Sequence, residues 1–495
     1  MPDPAQEPIP LPQILEDREA REKCGVYGAW GVEDAGTHAY LALFSLQHRG
    51  QESAGIAATD GKTILRHADM GLVARVFDND SLDRLNAHAA ARPRVAGGAI
   101  GHNRYSTTGA SKLENAQPMV ATFGAGDVAV AHNGNIVNAA PLRARLEGAG
   151  HLFRTSSDTE VVLHLLSAAS AAGDDDPLAS ALAELRGAFN LIFLFRDRVE
   201  AARDPWGWRP LVLGVMPDGR HAVASETVAL DVLGAEFVRE VEPGEIITLN
   251  DDGLSSRRFA DAERPLAHCI FEHVYLASPA SKIFGPRTVQ NIRELMGERL
   301  WRESPAQADI IVPMPDSGRS AALGYARASG LPYREGIIPN RYVGRTFIKP
   351  TGKERAAAVR LKLNIVSDIV RGKRVVIIDD SIVRGTTTRA KMDQLRKAGA
   401  QEIHLRIASP PIRNACFFGI DFPSTKELVA ANHTVDEIAR LLGVDSLAYL
   451  TIDGLKDVVG QQGAPAGDYC TACFSGVYPI DVNGATARDA LTKNC

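Results

Sequence analysis

The sequence has no uninterrupted apolar run of about 18 residues, the length a helix needs to cross a bilayer. Its first 23 residues, MPDPAQEPIPLPQILEDREAREK, are proline-rich and then charged, without the apolar stretch of a secretory signal. A basic excess is missing too. The formal net charge is −5, so nucleic-acid binding is not its main business. There is no GxxxxGK[ST] loop, which excludes a Walker-type phosphate site. No internal repeat or low-complexity tract stands out. Cysteines are few: Cys24, Cys269, Cys416, Cys470, Cys473 and Cys495. The expectation is a cytoplasmic chain with reduced thiols, available for catalysis, metals or packing.

What is present suits a large globular protein. The chain has 495 residues, 45% of them hydrophobic and 23% charged. That length suggests two to four domains and a sizeable buried core. The character of the sequence changes near residues 250–268. Before it lie short β-like runs with glycine turns, such as GVYGAW, VAVAHNGNI, NLIFLF and EIITL. After it, strand-like runs alternate with helical patterns, the mark of an α/β unit with a parallel sheet. The polar stretch LNDDGLSSRRFADAERP reads as a linker. The expected division is 1–23, 24–258 and 259–495.

Cys24 opens CGVYGAWG and is followed by LQHRGQESAG, GHNRYSTTG, AHNGNI and SSDTE. Taken singly these segments say little. Arg104 could be a surface ion-pair residue, and Asp158 could cap the helix beginning near Thr159. In this order, however, they resemble the glutaminase domain of N-terminal-nucleophile (class II) amidotransferases, over roughly residues 24–250. The chemistry explains the residue types. A thiolate is a good nucleophile, and a terminal α-amino group with a pKa near ~7.7–8.0 can act as its base. A chain beginning with cysteine therefore carries both on one residue. The resemblance implies that residues 1–23 are a propeptide and that the mature chain starts at Cys24. It also implies an oxyanion hole at Asn133 and Gly134, Arg104 on the glutamine carboxylate, Asp158 on the glutamine ammonium, and Arg49 with Gly50 beside that pocket.

VVIIDDSIVRGTTT reads as a buried strand, two acids, a small-residue loop and a helix starting near Thr388, with Gly399 as its C-cap. Backbone N–H groups and hydroxyls before a helix suit a phosphate. Acids at the C-terminal end of a strand suit ribose hydroxyls or Mg²⁺, where open α/β sheets bind ligands. The bland alternative is a βα turn with two solvated acids. The segment resembles the phosphoribosyl pyrophosphate (PRPP) motif of type I phosphoribosyltransferases. That implies Asp379 and Asp380 at the ribose and metal, Ser381 among the PRPP-binding residues, and Arg384, Gly385, Thr386, Thr387 and Thr388 at the 5′-phosphate. DIIVPMPDSGRSAA resembles the pyrophosphate loop, nominating Ser317 for Mg²⁺ with Asp316, Gly318 and Arg319 nearby; a helix-cap role is compatible. The basic stretch 340–364, with Arg341, Arg345, Lys349, Lys353, Arg355, Arg360 and Lys362, is either a solvated loop or a lid over PRPP. It resembles the flexible loop of amidophosphoribosyltransferases, which favours the lid.

Cys470 and Cys473 form a CxxC pair, with Cys269 and Cys416 distant. Four cysteines could hold zinc or a [4Fe–4S] cluster, and ligand type alone does not separate them. One branch of amidophosphoribosyltransferases has a propeptide and a four-cysteine [4Fe–4S] cluster, and CIFEHVYLASP, ACFFGIDFP and YCTACFSG match it. Cys495 matches nothing.

The resemblances together imply an N-terminal-nucleophile αββα sandwich followed by a type I phosphoribosyltransferase domain. They imply one Mg²⁺ and one [4Fe–4S] cluster per subunit, glutamine and PRPP as substrates, purine nucleotides as feedback inhibitors and a homotetramer. Neither nucleic acid nor membrane is expected as a partner. The implied reaction transfers ammonia from glutamine to C1 of PRPP, the opening step of purine synthesis, with Tyr105 beside Arg104 a candidate for coupling the sites. Two other readings remain at this stage: a nucleotide- or PRPP-sensing regulatory protein without turnover, and an amidotransferase for another acceptor.

Overall fold

The computed structural model describes residues 24–92, 97–105, 112–124, 126–263, 265–340, 363–420, 422, 425–461 and 463–482. In chain order the strands of the first half are β1 (Gly25–Trp30), β2 (Ser53–Thr59), β3 (Ile64–Met70), β4 (Gly98–Arg104), β5 (Met119–Phe123), β6 (Gly126–Ile136), β7 (Gly187–Leu194), β8 (Val199–Arg203), β9 (Val212–Val215), β10 (His221–Ala224), β11 (Glu236–Glu240), β12 (Glu245–Asn250) and β13 (Gly253–Arg258). They form two antiparallel sheets, ordered β11-β9-β10-β1-β4-β2-β3 and β13-β12-β8-β7-β6-β5.

The period-2 alternation of a strand explains how these sheets stack. On β1, Val26 and Trp30 enter the core shared with Ala129, Ala131 and Ile192 of the other sheet. Tyr27 and Ala29 face the opposite way, into the core with Leu43 of helix Ala35–Ser45 and Leu85 of helix Asn79–Ala90. The outer face of the second sheet packs on helix Thr159–Ala172 through Val162, Leu165 and Leu166. Both faces are covered, so β1 and β7 are buried along their whole lengths and carry no polar stripe. Close stacking requires small residues: a β-carbon on Gly28 would lie 2.8 Å from Ile192 Cγ2.

The stretch read as a linker is in part a strand. Gly253–Arg258 pairs with Glu245–Asn250 through a turn at Asp251 and Asp252. It looks polar because it is an exposed sheet edge, where side chains meet water on both faces.

The second half contains β14 (His268–Cys269), β15 (Ile310–Pro313), β16 (Ile337–Pro339), β17 (Leu363–Ile365), β18 (Arg374–Asp379), β19 (Glu402–Ile407), β20 (Ser446–Tyr449) and β21 (Tyr469–Cys470). Its main sheet is parallel, ordered β15-β18-β19-β20. One face packs on helices Val289–Glu303 and Arg319–Ser329. The other meets Met392 and Leu395 of helix Thr386–Lys397 and Ile438 and Leu442 of helix Val435–Leu442. Burial on both faces explains the unbroken apolar run VVII. β14 and β21 pair in parallel, setting Cys269 opposite Cys470.

Candidate functional site

Cys24 immediately precedes the central strand β1 and is 7% exposed. Its thiol donates to the carbonyl oxygen of Tyr105 at 3.6 Å, just beyond β4. β4 ends at Arg104, a buried residue whose Nη1 donates to Glu52. Two residues earlier, the His102 ring bonds the His132 carbonyl at 2.9 Å and ties the two sheets together. Burial and the Arg104 charge push His102 down to about 3, so this tie is made by a neutral imidazole.

His132 is followed by Asn133 and Gly134. The Asn133 Nδ2 is buried without a hydrogen-bond partner among the described residues. Such a donor is unusual in a folded protein and is what an incoming oxyanion would accept from. At Gly134 a β-carbon would lie 2.0 Å from the Ala188 carbonyl oxygen, so only glycine lets the strand pass there. Asp158 occupies the N-cap position of helix Thr159–Ala172, yet its side chain makes no cap bond. Its carboxylate instead accepts from the Ile136 N–H at 3.0 Å and lies 3.8 Å from His132 Nδ1. Burial alone would raise its pKa; the nearby His132 and these bonds hold it below the ordinary value, so it stays an anion. The helix-cap reading of Asp158 gives way to a carboxylate turned toward strand β6.

Arg49 is placed differently from the expectation. Its guanidinium is fully buried and engaged by Glu226, at Nε, and by Glu272, at 2.6 Å from Nη2. Glu272 belongs to the second half, and Arg209 of the first half holds it too, at 3.0 Å. Glu226 also accepts from Ser278 N at 2.8 Å and Ser281 Oγ at 2.6 Å. Arg49 is therefore a clamp between the halves rather than a free hand for glutamine. Gly50 remains beside the pocket, since a β-carbon on it would meet the Asn103 and Arg104 backbones within 3 Å.

In the second half, neighbouring parallel strands β15 and β18 bring their C-terminal ends side by side, with Pro313 opposite Ile378. Met314 N donates to the Ile378 carbonyl at 2.8 Å. This register sets Ser317 against Asp380, with the hydroxyl donating to Oδ1. Ser381 Oγ donates to Asp380 Oδ2 at 2.6 Å, and Asp380 N donates to Asp379 Oδ1 at 3.0 Å. Burial, and then the charge of Asp380, raise the Asp379 carboxyl well above its ordinary value. Two crowded acids of this kind are relieved by a cation. Mg²⁺ commonly takes one or two protein carboxylates and completes its shell from substrate phosphates.

The helix after this strand begins at Thr386, two residues before the sequence expectation, with Gly385 at its N-cap in the left-handed region (φ 77°). Thr386, Thr387 and Thr388 are thus its first turn, the end of a helix whose N–H groups and dipole favour a phosphate. The C-cap is Ala398, one residue before the expected Gly399, which follows it in the left-handed region with φ 95°. Arg384 is paired with Glu427 at 2.5 Å.

These groups line a cavity of about 460 Å³. Its wall includes Ser317, Asp379, Asp380 and residues 381–388, along with Arg293 and Lys391. It also includes His48 and Gln51 from the HRGQ segment of the first half. Sequence reasoning missed these four lining residues and the clamp partners Glu226, Glu272 and Arg209. Arg319, a pyrophosphate-loop candidate, pairs with Asp316 at 2.6 Å and Glu335 at 3.3 Å. Arg341, Arg345 and Lys349, with Lys353, Arg355, Arg360 and Lys362, lie outside the described residues, as do residues 1–23 and Cys495.

The four internal cysteines converge from three parts of the second half. Cys269 faces Cys470 across the β14–β21 pair, Cys473 is buried in the following turn, and Cys416 Sγ accepts from Phe418 N at 3.4 Å. Burial pushes the Cys269 thiol up to about 12, and burial with the mutual charges of the four raises Cys470 and Cys473 as well. None of the four is in a disulfide. Among the described residues no three His, Cys, Asp or Glu side chains form a ready site for a single metal ion. No helix among them is long and apolar enough to cross a membrane.

The chain matches the model of a glutamine amidotransferase domain over residues 102–232 and that of a phosphoribosyl transferase domain over 282–408. It is 47% identical to the chloroplastic amidophosphoribosyltransferase 1 of Arabidopsis thaliana, over 94% of this chain and 80% of that protein. It is 45% identical to the amidophosphoribosyltransferase of Methanothermobacter thermautotrophicus, over 97% of this chain and 100% of that one. Among solved structures, glutamine PRPP amidotransferase from B. subtilis, complexed with ADP and GMP, superimposes with a TM-score of 0.84 at 44% identity, covering 93% of this chain and 98% of that one. With both halves matched, and with relatives aligned over nearly the whole of this chain, the chain belongs to the amidophosphoribosyltransferase family, pentosyltransferases with glutamine amidotransferase activity.

Proposed function

We propose that the two sites divide the family reaction as follows. In a chain trimmed to begin at Cys24, the free α-amino group takes the proton of the Cys24 thiol, and the thiolate attacks the glutamine side-chain amide. Asn133 Nδ2 and the Gly134 N–H hold the oxyanion, Arg104 grips the α-carboxylate and Asp158 the α-ammonium. Ammonia leaves, and water hydrolyses the glutamyl thioester to glutamate. At the second site ammonia attacks C1 of PRPP and pyrophosphate departs, giving 5-phosphoribosylamine. The first turn at Thr386–Thr388 binds the 5′-phosphate, Asp379 and Asp380 the ribose, and Ser317 the pyrophosphate side. Mg²⁺, held by Asp379, Asp380 and Ser317, would neutralise developing charge on pyrophosphate.

The observation that carries this reading is the composition of the cavity wall: His48 and Gln51 of the glutaminase half face the same space as Asp379 and Asp380. Ammonia released in the first half thus has an acceptor cavity walled partly by that half. This also argues against a different acceptor, and against a sensor without turnover, which would not need Cys24 or an unpaired Asn133 amide. The four thiols suit a [4Fe–4S] cluster, whose cationic irons would stabilise thiolates that burial otherwise disfavours. The reaction has no redox step, so the cluster would be structural, tying the C-terminal residues 469–473 to Cys269 and Cys416. Purine nucleotides as inhibitors, a homotetramer and a cytoplasmic location complete the proposal. The B. subtilis relative's ADP and GMP support the first of these.

The test is pyrophosphate release from PRPP with glutamine or with ammonium. Cys24→Ala is expected to lose the glutamine reaction and keep the ammonium reaction. Retention of both would refute the assignment.

A further inference from the structure

The segment Cys416–Gly419 belongs to the second half, yet the first half grips its backbone. Asn135 Nδ2 donates to the Phe417 carbonyl at 2.8 Å. Arg209 Nη2 donates to the Phe418 and Gly419 carbonyls at 3.0 and 2.7 Å. The Phe418 ring stacks on Trp208, with centroids 3.8 Å apart and planes 22° from parallel. Gly419 adopts φ 91°, and a β-carbon there would lie 3.2 Å from the Gly134 carbonyl carbon and 3.1 Å from Arg209 Nη2. The backbone of the second half therefore rests directly on the peptide of Gly134.

We propose that Gly419, with the Phe417 carbonyl, is a positioning element for glutamine hydrolysis contributed by the acceptor half. It fixes the strand at residues 133–135, from which the oxyanion donors project. The proposal rests on the reading of Asn133 and Gly134 as those donors. Donors of this kind act because they are aimed before charge develops, so a shift of a few tenths of an ångström in their strand weakens them. The residues read as binding glutamine, Arg104 and Asp158, lie outside the 133–135 stretch that this segment holds, so the effect falls mainly on kcat rather than KM. A displacement of residues 416–419, whose first residue is one of the four clustered thiols, would slow the glutaminase without altering its nucleophile.

The test uses the full processed chain. Gly419→Ala, strained by its positive φ and pressed against Gly134, is expected to lower kcat for glutamine hydrolysis about tenfold or more, with KM for glutamine within about twofold. Ammonium-dependent pyrophosphate release should stay at the parent rate. Asn135→Ala, which deletes the bond to the Phe417 carbonyl, should show a smaller fall in the same direction. Parent-like glutaminase kcat in both variants, or a loss seen only in KM, would overturn the proposal. If Gly419→Ala lowers the ammonium reaction equally, Asn135→Ala alone decides: a glutaminase-specific fall upholds the proposal and a parent-like rate sinks it. Asn133→Ala is the control for the underlying reading. If that variant hydrolyses glutamine normally, the oxyanion assignment itself fails, whatever Gly419→Ala does.

Discussion

Replacing Asn133 by alanine should separate activity from stability, and the structure says by how much. Asn133 is 2% exposed, and its Nδ2 has no hydrogen-bond partner among the described residues. A buried unsatisfied donor costs a protein about 1–3 kcal/mol. Deleting it removes that cost and leaves a small void, whose penalty is of similar size and opposite sign. The net change in folding stability should thus lie within about 1 kcal/mol. The transition state, by contrast, loses a donor of the kind worth about 2.7–4 kcal/mol, a fall in kcat of about 10²–10³. Glutaminase kinetics and urea unfolding of the same preparations provide the comparison. A fall in kcat below tenfold would refute the argument. So would a loss of stability above about 2 kcal/mol, because Asn133 would then be a structural side chain.

Arg49→Ala should remove the cation that two buried carboxylates share, leaving Glu226 to His48 and Glu272 to Arg209, and cost about 3 kcal/mol at pH 7 by denaturant unfolding. Arg49 and His48 hold the Glu226 carboxyl well below its usual value against the opposing effect of burial, so its stabilising contribution is present above about pH 4.3 and is lost only as pH falls below it. The gap between parent and variant should accordingly narrow in acid. The Asp379 carboxyl is raised, so its ionised form weighs against the fold from about pH 4 upward. Asp379→Asn should therefore be more stable than the parent at pH 7.5 without metal. Mg²⁺ at ten times its Kd should stabilise the parent by about 1.4 kcal/mol and the variant far less, read by calorimetry. Cys470→Ser, in anaerobically purified protein, should lower iron content and visible absorption together. Full iron in that variant would exclude Cys470 as a ligand.

Function was more legible in the sequence than the joint between the halves. Cys24 at the head of a small-residue strand, and VVIIDD ending in two acids, are local signals because strand, loop and helix N-terminus are consecutive in the chain. The structure places Asp379 and Asp380 at a parallel strand end, as that pattern implies. The clamp could not be read this way. Arg49 and Glu226 are 177 residues apart and Arg49 and Glu272 are 223 apart, and each alone looks like a solvated charge. Only the docking of the halves buries them. The edge strand β13 was misread for a related reason: with water on both faces, its residues carry no alternation to reveal a strand. His48 and Gln51 stood inside a recognised segment, but their exposure to the second half's cavity is tertiary information.

In the proposed reaction one residue supplies both thiol and amine at the start of the working chain. The most direct test is peptide mapping of active protein after labelling with an electrophilic glutamine analogue. A single adduct is expected, on a peptide whose first residue is Cys24. An adduct on another residue, or full glutaminase activity in protein that still carries Met1–Lys23, would contradict it.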